Sequence, residues 1–124
     1  MERARILIAE DEPNIVESLS YILQRANFDV ESATDGHEAL DRLRHAPFSA
    51  LILDLMMPGL NGFDVLRAVR ADKELASLPV IVLTAKGQAR DRKIAEEVGA
   101  SAFITKPFSN AEVVEEVRRL TEDG

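Results

Sequence analysis

The sequence predicts an α/β fold, a parallel sheet between two layers of helices, on two observations. Five short apolar runs of strand length alternate with five amphipathic stretches at helical spacing. The strongest runs, Leu51-Ile52-Leu53 and Val80-Ile81-Val82-Leu83, are continuous rather than alternating, which marks strands covered on both faces. Right-handed crossovers prune the topologies, and such sheets place ligands beyond the carboxyl ends of their strands.

Arg5-Ile6-Leu7-Ile8-Ala9 reads as a buried first strand ending at Glu10-Asp11. Pro13 suits a first helical turn, and Ile15, Leu19, Ile22 and Ala26 then recur at helical spacing. A weaker strand is predicted over 29–33, a turn at Asp35-Gly36, and a second helix carrying Ala39, Leu40 and Leu43. Ala50-Leu51-Ile52-Leu53-Asp54 is the third strand, and Pro58-Gly59 and Asn61-Gly62 punctuate the loop after it. Phe63, Leu66 and Val69 mark a third helix. Val80-Ile81-Val82-Leu83-Thr84 follows as the fourth strand. A fourth helix over about 88–98 stops at Gly99. Ala102-Phe103-Ile104-Thr105 is the fifth strand. Ser109-Asn110-Ala111-Glu112 has capping-box spacing and opens a last helix with Val113, Val114, Val117 and Leu120.

The chain has 124 residues, which fits one domain, taken as 1–124. No apolar run approaches the ~18–20 residues that span a bilayer, and the apolar segment before Glu10 is too short for a secretory signal. The absence of cysteine excludes disulfides and thiolate metal sites and agrees with a cytoplasmic home. A net charge of -7 repels phosphate backbones, so direct nucleic-acid binding by this chain is not expected. Nothing after Leu120 is long enough to be an output domain.

The strand ends carry the chemistry. The first ends in Glu10-Asp11, the third in Asp54, the fourth in Thr84, and the fifth leads to Lys106. If the first and third strands are neighbours, three carboxylates converge. Two carboxylates 4 Å apart repel by roughly 4 kcal/mol at an effective dielectric of 20, so cationic compensation is required. Lys106 supplies one charge, and a hard dication would supply two more. Carboxylates without histidine or cysteine suit magnesium. Acids, a metal, a hydroxyl and a lysine make a phosphoryl-transfer site with a carboxylate nucleophile, because no Ser–His pair is apparent. Taken singly, each feature has a bland reading: Asp54 as a loop or cap residue, Glu10-Asp11 as helix-dipole partners, Thr84 and Lys106 as ordinary residues. Their coincidence at successive strand ends argues against that.

The segments Ile6-Leu7-Ile8-Ala9-Glu10-Asp11-Glu12-Pro13, Leu53-Asp54-Leu55-Met56-Met57-Pro58-Gly59, Leu83-Thr84-Ala85 and Thr105-Lys106-Pro107-Phe108 resemble the receiver domains of two-component response regulators, the CheY-like superfamily. The resemblance covers residues 6–120. It implies the flavodoxin-like strand order 2-1-3-4-5. It implies that Asp54 takes a phosphoryl group from the phosphohistidine of a sensor histidine kinase or a histidine phosphotransfer protein. Asp11 becomes a direct magnesium ligand, Glu10 a mainly water-mediated one, and the Met56 carbonyl a further ligand, with manganese an expected substitute. Thr84 and Lys106 would bind phosphoryl oxygens, and Phe103 would turn inward as Thr84 is drawn to the phosphate. Lys106-Pro107 resembles the family's cis peptide. Met56 and Lys86 stand where the family tunes dephosphorylation. Neither provides a strong acceptor for water, which implies a long-lived phosphoryl group. The output surface would be the fourth helix, fifth strand and fifth helix, read by an unspecified downstream effector, with phosphorylation-dependent dimerisation an option.

Two departures stand out. Glu10 replaces the commoner aspartate. In the winged-helix class Arg92 and Glu112 could form a dimer ion pair, but Ala102 and Glu116 stand where an aspartate and an arginine are usual, which weakens that mode. A haloacid-dehalogenase-like phosphohydrolase would need an aspartate where Met56 stands. A degenerate, phosphate-independent module would not retain the acids, threonine and lysine together. The chain is therefore expected to catalyse its own phosphorylation and dephosphorylation without turning over an independent substrate.

Overall fold

A computed structural model describes residues 3–85 and 87–121. The elements run β1 (Arg5–Ala9), α1 (Pro13–Arg25), β2 (Asp29–Ala33), α2 (Gly36–His45), β3 (Ala50–Asp54), α3 (Gly62–Ala71), β4 (Val80–Ala85), α4 (Ala89–Val98), β5 (Ala102–Lys106) and α5 (Asn110–Thr121). All sheet pairings are parallel, in the order β2-β1-β3-β4-β5.

The continuous apolar runs are explained by burial on both faces. Leu7, Leu51, Leu53, Val80 and Val82 join a core under α2, α3 and α4. Ile6, Ile8, Ile52, Ile81 and Leu83 point the other way, into a core under α1 and α5. The second strand gave a weak signal because it is an edge. Only Ala33 of β2 is fully buried, and Glu31 there pairs with Arg42 at 2.8 Å and with Arg5 at 3.7 Å.

Two expected turns prove to be helix starts. Asp35 caps α2 by accepting from the Glu38 N–H at 2.9 Å, and Asn61 caps α3 by accepting from the Asp64 N–H at 3.0 Å. The glycine after each cap is required by close packing. A Cβ on Gly36 would overlap the Leu60 carbonyl, and one on Gly62 would overlap Leu55 and the Asp54 carbonyl. The fourth helix starts at Ala89, with Gln88 as its cap, and ends at Gly99 with φ +123°. Ser109 Oγ accepts from the Glu112 N–H at 3.1 Å, as the capping-box spacing predicts. Among the described residues no helix is long and apolar enough to cross a membrane.

Topology sets the site. The chain leaves β1 toward β2 on one side, while β3 leads to β4 on the other, so a crevice opens where β1 and β3 lie side by side.

Candidate functional site

Three elements bring the charged groups together at this crevice. The first residue after β1, Glu10, is fully buried, and its N–H continues the sheet by donating to the Ala33 carbonyl at 3.0 Å. Its carboxylate accepts from the Glu12 N–H at 3.1 Å. Asp11, beside it, is exposed. The last residue of β3, Asp54, is 6% exposed, and its Oδ1 accepts from the Met56 N–H at 3.0 Å. Glu10, Asp11 and Asp54 each present an oxygen within 4.8 Å of the others. Lys106 at the end of β5 reaches in, with Nζ 3.3 Å from Glu10 Oε1 and 3.6 Å from Asp54 Oδ2. The Lys106–Pro107 peptide is cis.

The electrostatics follow from this geometry. The Glu10 carboxyl is pushed up to about 7, chiefly because burial strips water from its charged form. The Glu12 N–H opposes that rise, Asp54 adds to it, and Lys106 opposes it. Two carboxylates 4.8 Å apart repel by roughly 3–4 kcal/mol at an effective dielectric of 20. With all three acids ionised, one lysine leaves two negative charges without a counterion, and a dication would balance them. The donors are all oxygen, which suits magnesium, and the site opens onto a cavity with room for its waters. The residues therefore fit the metal.

That cavity, of about 200 Å³, is lined by Asp11, Asp54, Met56, Thr84 and Lys106. Thr84 is 6% exposed. Glu10 is not part of this lining. Met56 turns its side chain to solvent, 74% exposed. Phe103 is half-buried below Thr84, and the Arg92 guanidinium lies over its ring at 4.6 Å. Within the chain Arg92 is thus engaged on Phe103. Lys86 lies outside the described residues.

The cavity also has walls that the strand ends did not announce. Glu12 lines it from the start of α1, and Gln88 and Asp91 line it from the start of α4. The available signal was positional: in an α/β fold the first turn after a strand borders the same crevice. No compositional feature singles these three out.

A crevice of acids and one lysine at the switch point of a doubly wound five-stranded sheet defines a phosphoryl-receiving class of site. The model of the response regulator receiver domain matches residues 6–118, and the chain belongs to that family. It is 40% identical over 116 residues to the DNA-binding response regulator MtrA of Mycolicibacterium smegmatis, covering 94% of this chain and 50% of that protein. The chain thus spans about half the length of the curated relatives it matches. A putative response regulator from Chloroflexus aurantiacus superposes with a TM-score of 0.95 at 30% identity, over 98% of this chain and 99% of that one. The receiver domain of a Pseudomonas aeruginosa sensor histidine kinase superposes with a TM-score of 0.91 at 26% identity, over 98% of this chain and 100% of that one, and carries magnesium in its active-site cleft. The chain is a receiver domain of two-component signalling, in a family that binds magnesium at an acidic site.

Proposed function

We propose that Asp54 is the phosphoacceptor. A carboxylate oxygen of Asp54 attacks the phosphorus of a phosphohistidine on a sensor histidine kinase or histidine phosphotransfer protein. The P–N bond breaks, and its electron pair and a proton go to the imidazole. The observation that carries this reading is the approach of Lys106 Nζ to both Asp54 Oδ2, at 3.6 Å, and Glu10 Oε1, at 3.3 Å. One cation held between two buried acids is poised to move onto a phosphoryl oxygen when that group arrives. Thr84, on the cavity wall, donates its hydroxyl to another oxygen and makes room for Phe103 to turn inward. Asp11, Asp54 and the Met56 carbonyl would hold magnesium, or manganese in its place, with Glu10 acting mainly through water. Bound there, the ion would supply positive charge to the transferring group.

Met56 and Lys86 occupy the sequence positions that tune dephosphorylation in this family, and they tune it here. The switched surface is α4, β5 and α5, read in the cytoplasm by a partner or by a second copy. The net charge of -7 supports output without direct nucleic-acid contact by this chain.

The test is labelling by acetyl phosphate with magnesium, followed by intact mass. The parent should incorporate one phosphoryl group, and Asp54→Asn and Asp11→Ala none. Lys106→Ala should impair switching more than it weakens magnesium binding. Normal incorporation into the Asp54→Asn protein refutes the assignment.

A further inference from the structure

Arg92 touches neither the acids nor the lysine, yet it sits between the site and the outer surface. Its guanidinium covers the Phe103 ring at 4.6 Å, the shortest of the three cation–π contacts among the described residues. Phe103 pairs in register with Val82, and Thr105 with Thr84. Side chains two residues apart share a sheet face, so the Phe103 ring lies on the same face as the Thr84 side chain, one pair lower. That face is covered by α4, and the ring packs against its core. The first turn of α4 thus does two things at once. Asp91 lines the phosphoacceptor cavity, and the next residue, Arg92, caps the ring. An inward turn of the half-buried ring changes its contact with the guanidinium cap. Among the described residues Arg92 makes no ion pair.

We propose that Arg92 is a latch. It holds Phe103 in its outward position and so sets how much of the free energy of phosphorylation is consumed in switching. When the ring turns inward, the guanidinium loses its stacking partner. This rests on the reading of Asp54 as acceptor and Phe103 as mobile aromatic given above.

The proposal makes the Arg92 effect depend on the ring, which a double-mutant cycle isolates. The probe is beryllofluoride with magnesium, a phosphoryl mimic, titrated into the whole chain. NMR of the Phe103 ring and the Asp54 amide reports binding. Arg92→Gln should tighten apparent binding about two- to fivefold, the factor to which an exposed cation–π contact corresponds. In a Phe103→Leu protein the same substitution should change nothing. Unchanged or weaker binding by Arg92→Gln overturns the latch, and so does an equal gain in the Phe103→Leu background. A parent that binds no beryllofluoride overturns the latch and the phosphoacceptor reading together. A parent that binds it normally, with no Arg92 effect, overturns the latch alone.

Discussion

At the carboxyl ends of the strands three carboxylates cluster about one lysine that pairs with two of them, whereas at the amino ends one guanidinium is shared by four acceptors. Arg70 Nε donates to the Gly99 carbonyl at 2.9 Å, Nη1 to the Ala76 and Leu78 carbonyls at 3.1 and 2.7 Å, and Nη2 to Ser101 Oγ at 3.2 Å. Ser101 Oγ in turn accepts the first N–H of β4, from Val80, at 3.0 Å. The clamp ties α3 to the entries of β4 and β5. The other end is left electrostatically unfinished. One sheet therefore carries a cohesive end and a frustrated end, and the frustration sits where the function is.

The sharpest way to break this contrast is pH. The Glu10 carboxyl takes up its proton near 7 in the folded chain and near 4.5 when unfolded, so between these values the folded state binds more protons. The stability from this group is present in full below pH 4.5 and is lost as pH rises through 7. Across that window the loss is roughly 3 kcal/mol. In metal-free buffer, urea unfolding of the parent minus Glu10→Gln should show this slope, which cancels the titration of the other acids. A difference that is flat with pH would mean the carboxyl end is not frustrated.

At the opposite end, Arg70→Ala should destabilise by about 2–3 kcal/mol, because it orphans several carbonyls at once. The readout is the urea midpoint, with acetyl phosphate labelling of the folded fraction unchanged. Loss of labelling without loss of stability would mean the two ends are not separable.

A smaller effect is expected from Asp11→Ala. Removing the exposed acid of the cluster should raise the metal-free melting temperature by about 3 °C, and magnesium should stabilise the parent but not the variant. Equal melting temperatures and no magnesium effect would count against the clustered site.

The smallest effect concerns the lifetime of the phosphoryl group. Met56→Asn/Lys86→Glu should hasten decay, since it provides an amide and an acid for water. Gln88 and Asp91 already line the cavity with acceptors, so the gain should be only a few-fold. Unchanged or slower decay of the labelled double variant would refute this role.

The elements were legible wherever burial was symmetric. Strands such as Ala50–Asp54 are buried throughout, and their residues read as an unbroken apolar run. Edge strands and helix starts were less legible. The paired charges of β2 look like loop residues, and Asp35-Gly36 looks like a turn because caps and turns favour the same residues. The acids, Thr84 and Lys106 were legible as residues at strand ends. Their mutual distances were not, nor was the full burial of Glu10, which sets its charge state.

The sequence by itself determined the alternation of strands and helices, the residue types at each strand end, and the excess of negative charge. These are local properties, carried by hydrophobic period and by order along the chain. Only the tertiary structure decided that Lys106 stands between Glu10 and Asp54, from 96 residues away in the chain in the case of Glu10. It also decided that α4 walls the cavity with Gln88 and Asp91, and that Arg92 is committed to Phe103. The reason is physical. Period and propensity act within a few residues, whereas desolvation and Coulomb forces depend on which distant groups the sheet order makes neighbours.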